Sequence, residues 1–307
     1  MPELPEVETT VKGLKKVLLK RAILDVWTDL AKANQRVPHF KNTLKDADFY
    51  KKFKKEITGT KVISVERRAK NILINLSNKK TILIHMKMTG HVLYGKYGYD
   101  KKKNIWLALE KGPLQDPFNR FIHFVLTFSN GKHLALCDMR KFAKITLLDT
   151  KTAHETKHLE GIGPEPLDKK FTEKVFRERL LLRPTGRIKT NLMDQTLIAG
   201  IGNIYSDEAL WLAGINPETR TETIPKDKMS LLYKSVLAVL RKGIDFGGDS
   251  TSDYRTIDGT PGKFSHHHNA YRRTGKPCGK KGCTGVILRK VVGGRSAHFC
   301  SVHQNLR

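Results

Sequence analysis

The 307-residue sequence has no run of about 18 apolar residues, the length at which a membrane-spanning helix would be predicted. It also lacks the apolar stretch of a secretory signal peptide near its start, where proline and glutamate residues stand instead. Both absences argue against a membrane or secreted protein. We therefore expect a cytoplasmic protein without a membrane partner, associated with the nucleoid if the source is bacterial.

Acidic residues are scarce relative to basic ones. The chain has 30 Asp and Glu and 57 Lys and Arg, which gives a formal net charge of +27. Such an excess favours a polyanionic partner, and nucleic acid is preferred over anionic lipid. A generally lysine-rich surface without a specific partner is the alternative. Apolar residues make up 39% of the chain, which excludes a disordered basic tail and allows two domains with a small appendage.

Cysteine is also scarce, with four residues in total. Cys137 stands in an apolar, strand-like run and is predicted to be a small buried hydrophobic residue. The other three lie near the C-terminus in the pattern Cys278-x4-Cys283-x16-Cys300-x2-His303. In a reducing compartment, two ligand pairs at this spacing predict one structural Zn²⁺ with four protein ligands and no open position.

The residues between the two ligand pairs predict a β-hairpin. Residues 286–288 and 291–292 are strand-like, and Gly293-Gly294 breaks the strand pattern. From Pro261 to Arg307 there are ten Lys or Arg residues and no Asp or Glu. A metal-ordered finger with this charge would lie against phosphate groups.

Hydrophobic periodicity divides the rest of the chain. Apolar residues at positions 7, 11, 14 and 18 predict a helix over 3–19. Strand-forming residues then continue to about residue 149, and Asn130-Gly131 predicts a two-residue hairpin turn. Several short strands with tight turns favour a β-sandwich or a barrel. The predicted strands are 22–28, 61–67, 71–76, 81–86, 105–109, 121–128, 132–138 and 143–148.

The stretch 161–167, rich in Gly and Pro, predicts a linker, after which the hydrophobic period becomes helical. The stretch 245–264 is rich in Gly, Ser, Thr and Asp and predicts a flexible loop. The predicted helices are 172–182, 191–199, 204–213 and 227–243.

The chain starts Met1-Pro2-Glu3, and removal of Met1 would expose a secondary amine at Pro2. An α-amino group titrates near about pH 7.7–8, so part of it is nucleophilic at neutral pH. Its attack on a carbonyl gives an iminium that is cationic as soon as it forms, and Glu3 would supply a carboxyl for proton transfer. By themselves these residues are better explained as a helix start with Pro5 in its first turn.

Six motifs follow one another along the chain: Pro2–Glu8, Arg67–Lys70, His85–Gly90, Asp138–Phe142, Gly200–Tyr205 and the Cys/His finger. Together they resemble the formamidopyrimidine-DNA glycosylase (Fpg/Nei) family of base-excision repair enzymes, and the resemblance runs from Pro2 to the C-terminus. It implies an α+β fold. The implied parts are an N-terminal β-sandwich flanked by helices (2–150), a linker (151–170), a helical domain with a helix–two-turn–helix and a lesion-recognition loop (171–264), and a zinc finger (265–307).

The resemblance implies a bifunctional glycosylase and abasic-site lyase that acts as a monomer on damaged double-stranded DNA. Pro2 would attack C1′ of the damaged nucleotide and form a Schiff base, from which β,δ-elimination follows. Glu3 would act as acid and base at the sugar, with Glu6 as a supporting carboxylate only. Lys70 and Arg295 would lie close to the lesion phosphates.

The resemblance also implies DNA-binding roles. Met88, Arg140 and Phe142 would fill the space that a base leaves when it is extruded from the stack. Lys189 and Asn203, at the helix–two-turn–helix, would contact DNA. Met88 and Phe142 could instead be core residues. Lys70 could be a basic residue at a strand edge, and Arg295 could be one more cation in a basic finger.

The finger departs from the usual pattern of the family, because its first gap has four residues and its last ligand is His303. The Met88 wedge and the Arg140-x-Phe142 triplet favour oxidised purines (8-oxoguanine, formamidopyrimidines) over oxidised pyrimidines as substrates. Three alternatives stay open from the sequence: an oxidised-pyrimidine glycosylase, a non-catalytic zinc-finger DNA-binding protein, and an RNA- or ribosome-binding protein.

Overall fold

The computed structural model describes residues 1–31 and 41–306. The chain forms two compact units, and the predicted α+β class is confirmed. The first unit comprises Met1–Glu160 and Phe246–Lys263, and the second comprises Gly161–Asp245 and Phe264–Arg307. Within the two described ranges, no helix combines the length and the apolar character needed to cross a membrane.

The first unit begins with α1 (Leu4–Leu18), close to the predicted bounds. Its N-cap is Glu3, and a proline in the first turn costs no hydrogen bond there. The predicted apolar face is fully buried, while Lys15 and Lys16 in the last turn suit the negative end of the helix dipole. The buried residues of that face are Val7, Val11, Leu14 and Leu18.

Two four-stranded antiparallel sheets follow, with the strand orders β1-β8-β9-β5 and β10-β4-β3-β2. Side chains from α1 and from both sheets form one core, and burial of each large apolar side chain contributes about 1.5–3 kcal/mol. A separate hairpin consists of β6 and β7. The strands are β1 (Ile23–Thr28), β2 (Val62–Arg68), β3 (Asn71–Leu76), β4 (Lys80–His85), β5 (His91–Gly95), β6 (Tyr97–Asp100), β7 (Ile105–Ala108), β8 (Ile122–Phe128), β9 (His133–Cys137) and β10 (Lys144–Asp149).

The turn between β8 and β9 lies where Asn130-Gly131 predicts it but is one residue longer. The Phe128 N–H donates to the Lys132 carbonyl at 2.9 Å, so three residues form the loop. Gly131 takes the positive φ of +72°, and the Asn130 side chain accepts the Lys132 N–H at 3.2 Å. Glycine is therefore required at one position of this turn and not at two.

A helix occupies part of the region where only strands were predicted. This helix, α2 (Ala47–Ile57), is capped by Asp46, whose carboxylate accepts the N–H groups of Asp48 and Phe49. Its sequence contains many lysines, which obscure the helical spacing of four residues between the buried Phe53 and Ile57. The strands β5 and β6 were also not predicted. For β5 the reason is that it is buried along its whole length and shows no alternation of apolar and polar residues.

Up to residue 306, the second unit contains four α-helices and a C-terminal hairpin: α3 (Glu173–Leu180), α4 (Ile188–Met193), α5 (Asn203–Ala213), α6 (Lys226–Asp245), β11 (Ile287–Val292) and β12 (Arg295–Cys300). The helix predicted at 191–199 lies earlier in the structure. Its continuation is prevented by Asp194, whose carboxylate accepts the Thr196 N–H at 2.9 Å and starts a turn.

Residues 246–263 belong to the first unit, although the sequence analysis grouped them with the helical domain. The buried Tyr254 hydroxyl donates to the Glu6 carbonyl at 3.0 Å. The Tyr94 N–H donates to the Ile257 carbonyl at 2.6 Å, and Arg255 pairs with Asp116 at 3.3 Å. These long-range bonds hold a segment that has little regular secondary structure of its own.

Candidate active site and nucleic-acid interface

The start of α1 holds two of the predicted catalytic residues. Pro2 and Glu3 are both buried, and Glu3 is 2% exposed. The buried Glu6 carboxylate joins this turn to the segment 246–263, because one oxygen accepts the Glu3 N–H and the other accepts the Asp249 N–H, each at 2.7 Å. The sequence analysis held Glu6 only as a supporting carboxylate, and its second partner could not be seen from local sequence.

Lys70 lies in the turn between β2 and β3, beside α1. It is 6% exposed and follows Ala69, whose φ is +53°. Arg67 holds this turn to the helix, because its Nε pairs with Glu8 at 2.7 Å while its Nη1 donates to the Ala69 carbonyl at 3.1 Å. The structure therefore places Pro2, Glu3 and Lys70 on adjoining elements of one unit.

His85, at the end of β4, is a candidate that the sequence analysis did not single out. Burial, followed by repulsion from Lys87 and Lys70, lowers the pKa of His85 to about 3. Its Nδ1 accepts the Lys87 N–H at 3.0 Å, so the neutral ring has Nε2–H as its donor. The signal for this residue was its place in the motif His85–Gly90.

The three predicted wedge residues lie in two loops of the first unit. Met88 follows β4 and is 36% exposed, and Phe142 precedes β10 and is 48% exposed. The exposed Arg140 guanidinium lies over the Phe142 ring, with 4.4 Å between its Cζ and the ring centroid. The alternative explanation of Met88 and Phe142 as core residues therefore does not fit their exposure.

Asn203 is the first residue of α5, after a turn that Gln195 organises. The Gln195 side chain donates to the carbonyls of Met193 and Ile201 and accepts the Gly200 N–H. The buried Asn203 Oδ1 has no hydrogen-bond partner within residues 1–31 and 41–306. A helix N-terminus attracts anions through its free N–H groups, which fits the predicted contact with DNA.

Lys189 lies in a fully enclosed network rather than on the surface. Its ammonium pairs with Asp207, and both side chains are 0% exposed. The other Asp207 oxygen accepts the backbone N–H of His298 at 2.9 Å and lies 2.9 Å from its Nδ1. A direct contact of Lys189 with DNA would require this ion pair to open.

The four predicted metal ligands come together at the base of the finger. Their ligand atoms all lie within 4.8 Å of one another, with Cys278 Sγ 3.5 Å from His303 Nδ1 and Cys283 Sγ 3.5 Å from Cys300 Sγ. Tetrahedral zinc with its usual bond lengths gives ligand separations of about 3.5–3.8 Å. His303 Nε2 donates to the Trp211 carbonyl at 3.0 Å, which leaves Nδ1 for the metal.

The hairpin of the finger turns at Gly293-Gly294, whose φ angles are +56° and +75°. Positive φ at both central residues fits a two-residue hairpin turn of type I′. Arg295 follows as the first residue of β12 and is exposed. The turn therefore presents this arginine at the tip of the finger.

Together, the fold and these residues fit a DNA-processing protein in which α4, the turn after it and α5 form a helix–two-turn–helix. Residues 1–145 match the description "Formamidopyrimidine-DNA glycosylase N-terminal domain". Residues 162–255 match the description "Formamidopyrimidine-DNA glycosylase H2TH domain". The two matches cover most of both compact units.

Curated relatives match over the full length. The chain is 36% identical over 307 residues to the formamidopyrimidine-DNA glycosylase of Pelotomaculum thermopropionicum, covering 100% of each chain. It is 38% identical to that of Chloroflexus aggregans, covering 100% of this chain and 99% of the relative. Lactococcus lactis Fpg in complex with DNA containing an abasic site is similar at 31% identity with a TM-score of 0.80, covering 99% and 100% of the two chains. The chain therefore belongs to the formamidopyrimidine-DNA glycosylase family, which confirms the resemblance found from its motifs.

Proposed function

We propose that the chain removes an oxidised purine from DNA and cleaves the resulting abasic site with Pro2 as the covalent nucleophile. Membership of the family makes it a base-excision repair glycosylase with abasic-site lyase activity, and oxidised purines are the substrates of the family. The observation that carries the proposal is the buried Pro2-Glu3 pair at the start of α1, held in place by Glu6.

In the proposed reaction, the Pro2 nitrogen forms a bond to C1′ while the N-glycosidic bond breaks and its electron pair leaves with the base. Opening of the sugar then gives an iminium between Pro2 and C1′. This cation makes the neighbouring C2′ proton acidic, so its loss expels the 3′ phosphate, and a second elimination expels the 5′ phosphate. Glu3 would carry the protons at the sugar.

Cationic residues would hold the phosphates on both sides of the lesion. Lys70 is nearly enclosed and close enough to His85 to lower its pKa. A phosphate beside them would relieve this repulsion, and the neutral His85 ring could donate to it through Nε2–H. Arg295 at the tip of the finger would supply a further charge.

Met88, Arg140 and Phe142 would replace the extruded base. Unstacking a nucleotide costs about a few kcal/mol, and apolar side chains that enter the gap recover part of that cost. The exposure of Met88 and Phe142 fits surfaces that become covered when DNA binds. Arg140, stacked over Phe142, would hydrogen-bond to the unpaired base that remains.

One zinc ion, held by Cys278, Cys283, Cys300 and His303, would order the finger and take no part in the chemistry. The donor set of three thiolates and one imidazole suits zinc. We further propose damaged double-stranded DNA as the partner of a monomeric, cytoplasmic protein. In support, Fpg of Lactococcus lactis is known in complexes with DNA that contains an abasic site or an N7-benzyl-Fapy-dG.

Borohydride trapping tests the proposal. Wild-type protein whose intact mass shows loss of Met1 should form a covalent adduct with duplexes that contain 8-oxoguanine or an abasic site. Pro2→Gly exposes a primary amine whose imine must first be protonated, so it should form much less adduct, and it should still bind lesion DNA because its cationic residues are unchanged. Tight binding without an adduct from the wild-type protein would instead support a non-catalytic DNA-binding protein.

The same assay separates the substrate classes. A duplex with 8-oxoguanine should be processed faster than one with an oxidised pyrimidine. The reverse order would support the oxidised-pyrimidine alternative. Competition with structured RNA at fixed salt tests the alternative of RNA binding.

A further inference from the structure

We propose that Asp138 and Thr89 are positioning residues that hold Met88, Arg140 and Phe142 as one wedge, a role that rests on the function proposed above. The three wedge residues come from two loops that are distant in sequence, one after β4 and one after β9. A flexible loop would lose conformational entropy each time it entered DNA. A buried link between the two loops removes part of that cost before DNA binds.

The link is a single buried carboxylate. Asp138 is 1% exposed, and its Oδ1 accepts the Thr89 hydroxyl and the Arg140 N–H, the latter at 3.3 Å. Its Oδ2 accepts the Ala143 N–H at 2.7 Å. The carboxylate therefore binds the backbone on both sides of Phe142. Hydrogen bonds to an ionised acceptor are about twice as strong as those between neutral groups.

Thr89, in the loop after β4, connects that loop to the loop after β9. Its hydroxyl donates to Asp138 and accepts the Arg140 N–H at 3.2 Å, and the residue follows Met88 directly. Gly90 closes the same turn, because a Cβ at this position would lie 2.4 Å from the Met86 carbonyl oxygen. The backbone next to Met88 is thus held by a side-chain bond and by close packing.

Backbone strain next to the wedge residues points to the same role. Lys87 and Lys141 have φ angles of +55° and +56°, which residues with a Cβ rarely adopt. Such conformations persist only where surrounding interactions hold them. Around Lys141, these are the Asp138 bonds and the Lys45 ammonium, which donates to the Lys141 carbonyl at 2.6 Å.

Asp138→Asn tests the role, because it keeps the shape but turns one acceptor oxygen into an NH₂ donor that faces other donors. We expect single-turnover excision of 8-oxoguanine from duplex DNA to fall by about tenfold to a hundredfold, the range expected when a charged acceptor is lost. Strand cleavage at a preformed abasic site should stay within about twofold, because no stacked base has to be displaced there.

Thr89→Val gives a second, independent test, since it removes the hydroxyl at constant volume. It should lower excision selectively as well, and Thr89→Ser should restore most of the rate. Thr146→Val is the matched control. Thr146 is a buried threonine on β10 whose hydroxyl donates to the Asn42 carbonyl at 2.5 Å, outside both loops. Its loss should leave the ratio of the two rates unchanged.

Equal losses on both substrates, or no loss on either, in variants that retain the thermal stability of the wild type would overturn the proposal. If Asp138→Asn does not fold, Thr89→Val and its serine counterpart decide the question. Wild-type protein that cleaves neither substrate would instead remove the proposed function on which the wedge depends.

Discussion

At the residue scale, His85 has a charge state that depends on folding. Its pKa is lowered from the ordinary 6.5 to about 3 by burial first and then by Lys87 and Lys70. Between these two pH values the unfolded chain binds a proton that the folded chain does not. Stability contributed by the neutral ring is therefore complete above pH 6.5 and is lost as the pH falls toward 3.

We expect His85→Gln to weaken this acid sensitivity. Between pH 7 and pH 5 the wild-type protein should lose about 2 kcal/mol of unfolding free energy through this group, and the variant should not. Urea unfolding at the two pH values, with zinc held constant, measures the difference. His154→Gln, at an exposed position, serves as the control. Identical losses in wild type and His85→Gln would show that the ring titrates normally.

Residue types could be predicted from the sequence where a motif carries the chemistry. Pro2, Glu3 and the four residues of the candidate metal site were proposed in this way, and the structure brings those four residues together. The bonds that position such residues could not be predicted. Gln195 accepts the N–H of a residue five positions away, and Glu6 accepts that of Asp249, so their roles exist only in the folded chain.

At the element scale, a helix or strand was predicted correctly where its apolar residues recur at a regular spacing. The apolar face of α1 repeats over four turns and its bounds were predicted to within one residue at each end. By contrast, α2 has only Phe53 and Ile57 fully buried among many lysines, and β5 is buried on both faces. A pattern of alternation is absent when both faces are covered, so the strand has no periodic signal.

The buried network of Lys189 on α4, Asp207 on α5 and His298 on β12 leads to a prediction about Lys189. Lys189→Met should lower stability, because it removes the charge that pairs with the buried Asp207. It should leave the slope of log affinity for lesion DNA against log salt unchanged. Arg295→Ala, which removes an exposed cation, should reduce that slope by about 0.9 for one lost phosphate contact. A similar reduction in Lys189→Met would restore the direct DNA contact predicted from the sequence.

At the scale of the whole molecule, the net charge indicates the class of partner. The excess of 27 positive charges favours association with any nucleic acid and does not distinguish one DNA lesion from another. The α+β class was implied by the resemblance, while the change of hydrophobic period near residue 160 predicted a division of the chain that lies at the boundary between the two units. The assignment of 246–263 could not follow from sequence, because its bonds reach residues more than a hundred positions away.

Because the proposed zinc site lies in the second unit, removal of zinc should disturb the structure of that unit before that of the first. The core cluster of the finger contains few apolar residues and includes Trp211 of α5, whose ring lies 5.5 Å from that of His303. Chelation, or Cys278→Ser, should weaken binding to lesion DNA and change the fluorescence of Trp211. Trp27 and Trp106 lie in the first unit, so their signal in Trp211→Phe should stay constant until that unit unfolds. Metal-free protein that binds lesion DNA as well as the zinc-loaded protein would show that the finger makes no contribution to recognition.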